Sequence, residues 1–169
     1  MKSVVLVLVL ALGLAGCTAE TPAPEPTTPA STAPADTTLL PVTVDPATAE
    51  ALQVEGTRVA DGLQALMEGI LYVDDNSAVA PGDAETASYY AVYRTITLEA
   101  AVDPLIMSAQ LTTILEQSGW SIYETTNEGG QYLSALSSGD SGWFALIGGD
   151  ATVDGQPVVT FQIASPDIQ

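Results

Sequence analysis

The sequence predicts an α+β fold for residues 46–169, in the order α-β-α-β-β-β-β. Apolar residues recur at helical spacing early in this region, and short β-branched or alternating segments follow one another near its end. Helices and strands that are segregated along a chain indicate α+β rather than alternating α/β architecture. We therefore expect two helices packed on one face of an antiparallel, mostly meander sheet of about five strands.

Two Asp-Pro pairs predict where the helices begin, because Asp is a good N-cap and Pro is tolerated at the first helical position. The first pair, residues 45–46, predicts a helix that ends near Gly69. The second pair, residues 103–104, predicts a helix over Leu105–Gln117 that Gly119 closes. The apolar positions of the first helix share one face: Leu52, Val59, Leu63, Leu66, Met67 and Ile70.

Five segments have the composition of strands, and Asn127 to Gly130 predicts a hairpin turn between two of them. A short pair, Tyr72 and Val73, could add an edge strand to a region that otherwise reads as loop. The five predicted strands are residues 89–99, 120–125, 131–136, 143–147 and 158–164.

The first residues have the pattern of an export signal. Lys2 supplies a positive charge, an apolar run from Val4 to Leu14 follows, and small residues precede Cys17. The run is shorter than the roughly 20 apolar residues of a membrane-spanning helix. Leu14-Ala15-Gly16-Cys17 resembles the lipobox of bacterial lipoproteins. This resemblance implies that residues 1–16 are removed and that Cys17 is the lipidation site; an ordinary signal peptide or an uncleaved anchor is the alternative.

Residues 17–45 then read as a tether, because Thr, Pro, Ala and Ser dominate the segment and it has no apolar periodicity. O-glycosylation of this segment is compatible with its composition. The order of helix, Gly-Trp and hairpins in residues 46–169 loosely resembles small lipoproteins of Gram-positive bacteria with no assigned function. The expected location is the outer side of the cell membrane, with the lipid as anchor.

Charge excludes one class of partner. The chain has 3 Lys and Arg against 21 Asp and Glu, and its net charge is −18. Nucleic-acid binding requires basic side chains that neutralise phosphates, so we exclude it. The lone Cys17 also excludes an intramolecular disulfide. Arg58 and Arg94 are expected to pair with neighbouring carboxylates rather than with a ligand.

Two motifs suggest chemistry that the rest of the sequence does not support. The string Gly-Asp-Ser-Gly at residues 139–142 occurs around serine-protease nucleophiles, but this chain has no histidine to act as the base. The same string contains the Asp-Ser-Gly of aspartic proteases, which need a second facing aspartate. We therefore interpret Ser141 as part of a turn and expect no catalytic residue.

An acidic loop offers weak calcium candidates, because calcium prefers six to eight oxygen ligands. Ala78 and Val79 occupy positions where an EF-hand needs a ligand and a glycine, so a solvated acidic loop is the competing interpretation. Trp120 and Trp143 could form a binding platform, although tryptophans on strands are more often core. The calcium candidates are Asp74, Asn76, Asp83 and Glu85.

The sequence favours a non-catalytic binding domain without a cofactor. Its partners would be the membrane, through lipidated Cys17, and a basic protein or cell-wall component. The expected contact regions are the loop from Asp74 to Glu85 and the turn from Ser137 to Gly142. The alternatives are an exported carboxylate-dependent hydrolase acting on glycans, and a passive surface spacer.

Overall fold

A computed structural model describes residues 38–82, 87–151 and 155–169. Helix α1 spans Ala49–Gln64, helix α2 spans Pro104–Gln117, and a 3-10 turn covers Gly139–Ser141. Within those ranges, no helix is both long and apolar enough to cross a membrane.

The described residues form seven strands: β1 Ile70–Asp75, β2 Ala78–Pro81, β3 Ser88–Leu98, β4 Ser121–Glu128, β5 Gln131–Ser137, β6 Phe144–Asp150 and β7 Val158–Asp167. They make one open antiparallel sheet in the order β1-β3-β7-β6-β5-β4, and β2 also pairs with β3. The α+β class is confirmed, but the expected count of about five strands is wrong.

The two additional strands come from residues 70–81, where the sequence predicts a possible short edge strand at Tyr72 and Val73 and otherwise a loop. β3 has 11 residues, which is long enough for β1 to pair with its second half and β2 with its first half. Both β1 and β2 are short and mostly exposed, so they carry little of the apolar alternation that predicts a strand.

Both helices pack on the same face of the sheet. Gly56 of α1 lies against Val92 of β3, and Gly149 of β6 lies beneath Ser108 and the Pro104 carbonyl of α2. The strand register places Val92 and Gly149 on one side. That side carries the buried sheet residues Ile96, Leu136, Ala145, Ile147, Val159, Phe161 and Ile163.

Helix α2 begins as predicted, because the Asp103 carboxylate accepts hydrogen bonds from the backbone N–H groups of Leu105 (2.8 Å) and Ile106 (3.2 Å). Helix α1 does not begin at residues 45–46. Thr48 is its N-cap, since its hydroxyl accepts from Ala51 N at 3.3 Å. The Pro46 carbonyl accepts from Thr48 N, so these residues form a turn before the helix.

Residues 38–45, which the sequence places in the tether, pack with the domain. Leu39 belongs to the hydrophobic core, and its carbonyl accepts a hydrogen bond from the Trp120 indole at 3.0 Å. The Arg58 guanidinium donates to the carbonyls of Thr38 and Leu40. The described chain is therefore docked on α1 from its first residues onward.

Candidate functional site

The calcium candidates are only partly within the described residues. Asp83 and Glu85 lie outside them, and so does Cys17, the predicted lipidation site. Asp74 and Asn76 lie at the β1–β2 turn, where the Asn76 amide nitrogen donates to the Asp74 carboxylate at 3.0 Å. In the part of the chain that the structure describes, no group of three or more Asp, Glu, His or Cys residues is arranged to hold a metal ion.

The hydroxyl groups of the Gly-Asp-Ser-Gly turn bond within the turn itself. The Ser138 hydroxyl bonds to the Ser141 hydroxyl and accepts from Trp143 N at 2.9 Å. Gly142 has a φ of 72°, which favours glycine at that position. Ser141 has no basic side chain among its hydrogen-bond partners within 38–82, 87–151 and 155–169. The arrangement matches the interpretation of Ser141 as a turn residue.

Both tryptophans are buried, at 2% exposure for Trp120 and 1% for Trp143. Trp143 packs on Gly56 of α1, and the Trp120 indole is bonded to Leu39. The core interpretation is therefore confirmed for both, and neither forms an exposed platform.

Both arginines pair with carboxylates, as predicted. Arg58 donates to the Glu55 carboxylate from Nη2 to Oε1 at 2.7 Å and from Nε to Oε2 at 2.9 Å. These hydrogen bonds lower the pKa of the Glu55 carboxyl, and burial opposes them with a smaller effect. Arg94 contacts Asp61 at 2.8 Å and Asp75 at 2.9 Å. Burial raises the pKa of Asp75, but hydrogen bonds from Ser77 and Arg94 outweigh it and the pKa is lowered overall.

These ion pairs leave the rest of the surface anionic. Lys2 is the only other basic residue of the chain, and it lies outside the described residues. No basic side chain in the described ranges therefore faces the exposed carboxylates Glu124, Glu128 and Asp167.

Among the described residues, no helix covers the second face of the sheet, opposite α1 and α2, and we call it the open face. The register places one row of residues across it, from β3 to β4: Tyr93, Gln162, Leu146, Ala135 and Glu124. The next row contains Ala91, Ala164, Phe144, Ser137 and Ser121. The middle of the face is thus uncharged, with apolar, hydroxyl and amide side chains, and the carboxylate of Glu124 stands at its β4 side.

Two shallow grooves meet at Phe144 on this open face, and we call them together the Phe144 groove. One, of about 590 Å³, has Tyr123, Glu124 and Ser137 among its lining residues. The other, of about 510 Å³, includes Tyr89 and residues of β7. The Phe144 ring is shared by both, and its centroid lies 6.4 Å from that of Tyr123 at an interplanar angle of 40°.

A β-bulge positions the Tyr123 side chain. The β4–β5 register skips one residue between Ile122 and Glu124, so Tyr123 is the additional residue. Tyr123 is 73% exposed and Phe144 is 37% exposed, which is high for aromatic rings in contact with each other. Sequence reasoning did not identify this pair, because the bulge has no sequence signal.

The Phe144 groove has the chemistry of a cation-binding surface. Aromatic ring faces attract ammonium and guanidinium groups, and Glu124 adds a negative charge beside them. The turn from Ser137 to Gly142, expected as a contact region, contributes three residues to its lining: Ser137, Gly139 and Gly142.

No protein family, curated protein sequence or solved structure matches this chain.

Proposed function

We propose that this chain is a lipoprotein held at the outer side of the cell membrane through lipidated Cys17, and that its domain is a non-catalytic module that binds a basic protein. The Leu14-Ala15-Gly16-Cys17 string supports the anchor. The observation that carries the binding role is the exposed Tyr123–Phe144 pair beside carboxylates that no arginine neutralises.

Electrostatics supports a basic partner. A net charge of −18 creates a negative field around the molecule, and such a field accelerates encounter with positively charged proteins. Both arginines are already engaged by carboxylates of their own chain, so they do not weaken this field near the Phe144 groove.

The exposed aromatic side chains also support the proposed binding, because they can contribute binding energy at the contact in addition to the electrostatic attraction of the partner. Tyrosine is enriched among the few residues that dominate protein–protein binding, because it buries a large area with few rotatable bonds. Tyr123, Phe144 and Tyr93 stand on the same face of the sheet and are exposed. A polypeptide lying across β6 and β4 could bury the Tyr123 and Phe144 rings together, and one that extends over β7 to β3 could reach Tyr93 as well.

The anchor is tested by intact-mass analysis of the protein extracted from membranes. We expect a chain that begins at Cys17 and carries a diacylglyceryl group. An unmodified Cys17 in the mature protein would refute the anchor without affecting the binding role.

The binding role is tested by immobilising the mature protein and identifying the envelope polypeptides that it retains. We expect basic polypeptides to be retained at low salt and released as salt rises, because screening weakens charge attraction. Tyr123→Gln and Phe144→Gln should each reduce this retention. Ile106→Gln is the matched control, since Ile106 is 58% exposed on α2, on the other side of the sheet.

Three results would contradict the proposal. Equal losses from Ile106→Gln and Phe144→Gln would show that the Phe144 groove is not the contact surface. Retention of no basic polypeptide would favour the passive spacer. Turnover of glycan substrates that Glu124→Gln abolishes would identify a carboxylate-dependent hydrolase instead.

A further inference from the structure

Strand β4 has an unpaired edge. In the part of the chain that the structure describes, it lies at the end of the sheet and pairs with β5 alone, and all eight of its residues are exposed. Among the described residues, no backbone hydrogen bond reaches its outer side. Proteins commonly protect such an edge with proline, charged side chains, a bulge or a covering segment. β4 contains neither proline nor lysine; its bulge lies at Tyr123, near its start, and its charges are the carboxylates Glu124 and Glu128, which repel acidic strands but not basic ones.

The hairpin geometry shows which backbone groups point outward. Gly129 and Gly130 form a two-residue loop with φ values of 62° and 84°, so Glu128 and Gln131 form a hydrogen-bonded pair. Hydrogen-bonded and non-hydrogen-bonded pairs alternate in an antiparallel ladder. The N–H and C=O groups of Thr125 and Asn127 therefore point to the free edge.

The side chains of β4 select the kind of strand that could pair there. Glu124, Thr126 and Glu128 lie on the open face, and the two carboxylates are separated by four residues, or roughly 13 Å. Basic side chains at positions i and i+4 of an added strand would stand opposite them. Opposite charges directly across a strand pair are favourable.

A second copy of the same chain is disfavoured in the register that uses the outward groups of both Thr125 and Asn127. Antiparallel pairing of two β4 strands about Thr126 would satisfy the outward groups of Thr125 and Asn127. The same pairing would place Glu124 of one copy directly opposite Glu128 of the other, and like charges in that position are destabilising. The acidic edge thus disfavours self-association and favours a basic strand.

We propose that the partner adds an extended segment to β4 as an eighth strand, with Lys or Arg at positions i and i+4 on the open face. The basic side chain opposite Glu124 then lies on the same strand edge as Tyr123, whose ring forms the β4 side of the Phe144 groove. This inference rests on the proposed function, and it specifies how the basic partner is recognised.

Two synthetic peptides test the strand addition on the mature protein. The first, Thr-Arg-Thr-Val-Thr-Arg-Thr, places both arginines on one face. The second, Thr-Arg-Thr-Val-Arg-Thr-Thr, has the same composition but places them on opposite faces. We expect the first peptide to bind about two- to fivefold more tightly, since the second loses one ion pair.

Hydrogen exchange resolved to single amides reports the backbone contact. The amides of Thr125 and Asn127 should exchange at least about tenfold more slowly with saturating first peptide, because new ladder bonds protect them. The amides of β1, at the opposite edge of the sheet, are the internal control. Glu124→Gln and Glu128→Gln should each lower the affinity for the first peptide about two- to fivefold.

The outcomes separate this inference from the proposed function. Peptide binding without protection of Thr125 and Asn127 would overturn the strand addition and leave a basic-protein module that uses the open face alone. Equal affinity for the two peptides, or binding of neither, would also overturn the strand addition. Loss of retained basic envelope proteins in Phe144→Gln would still support the proposed function in those cases.

Discussion

At the scale of single residues, Glu55 connects the first described residues to the domain. Its carboxylate is bound by the Arg58 guanidinium and also accepts from Val42 N at 2.7 Å. The excess of acids made a carboxylate partner for Arg58 predictable from composition. Arg58 also donates hydrogen bonds to the backbone carbonyls of Thr38 and Leu40. These two hydrogen bonds were not predictable, because they depend on where residues 38–44 pack.

We predict that Glu55→Gln destabilises the protein by about 1–2 kcal/mol at pH 7, since it weakens hydrogen bonds to a charged group. The folded-state pKa of Glu55 is lowered from 4.5, so its charge stabilises the fold above that value. This contribution is lost as the pH falls through the folded-state pKa. Urea unfolding between pH 7 and pH 3 should show the two proteins converging at low pH.

The control for this measurement is Glu68→Gln, which removes the same charge from an exposed position after α1. Its effect should be small, and should differ from that of Glu55→Gln in its pH dependence. A difference between wild type and Glu55→Gln that stays constant down to pH 3 would contradict the role given to the Glu55 charge.

At the scale of elements, the sequence predicts best where local signals agree. Helix α2 has an Asp N-cap, a proline at its first position and an apolar face, and it begins where predicted. Helix α1 was predicted to begin at the Asp-Pro pair of residues 45–46, but its N-cap is Thr48, whose hydroxyl accepts from Ala51 N. Of the two short strands, the sequence predicted only a possible edge strand at Tyr72 and Val73, which lie within β1, and it missed β2, because both strands depend on pairing with β3, a long-range contact.

The candidate site was less predictable than the fold. Alternation shows which residues of a strand share a face, but it does not show which face the helices will cover. Phe144 follows the buried Trp143 within a continuous apolar run, so its exposure has no local signal. The proximity of Tyr123 and Phe144 depends on a bulge and on strand order, both of which are properties of the whole sheet.

We predict that Leu39→Ala lowers the free energy of unfolding by about 2–4 kcal/mol, because truncating a buried leucine leaves a cavity. Leu39 is 5% exposed, although it lies in a segment whose composition resembles a tether. Val42→Ala, at a position that is 57% exposed, should change stability by no more than about 0.5 kcal/mol. Equal urea midpoints for the two variants would show that residues 38–44 are not part of the cooperative unit.

At the scale of the whole molecule, two electrostatic effects of salt oppose each other. Salt weakens the ion pairs of Arg58 and Arg94, and it also screens repulsion among the carboxylates. The ion pairs are partly buried and join only three pairs of described residues, whereas the whole chain has 21 acidic residues and 3 basic ones. Partly buried pairs are screened less than exposed charges, so the relief of repulsion should dominate.

We therefore predict that the midpoint of thermal unfolding rises as sodium chloride increases from low to physiological concentration, where the screening length falls to about 8 Å. Choline chloride at the same ionic strength should raise the midpoint by a similar amount, because the effect comes from screening and not from binding of a particular cation. A midpoint that is flat or falls with salt would contradict the dominance of repulsion. A much larger rise of the midpoint with calcium chloride at matched ionic strength would instead identify a calcium site. Asp74 and Asn76 are the calcium candidates among the described residues, so they would be changed to Ala first.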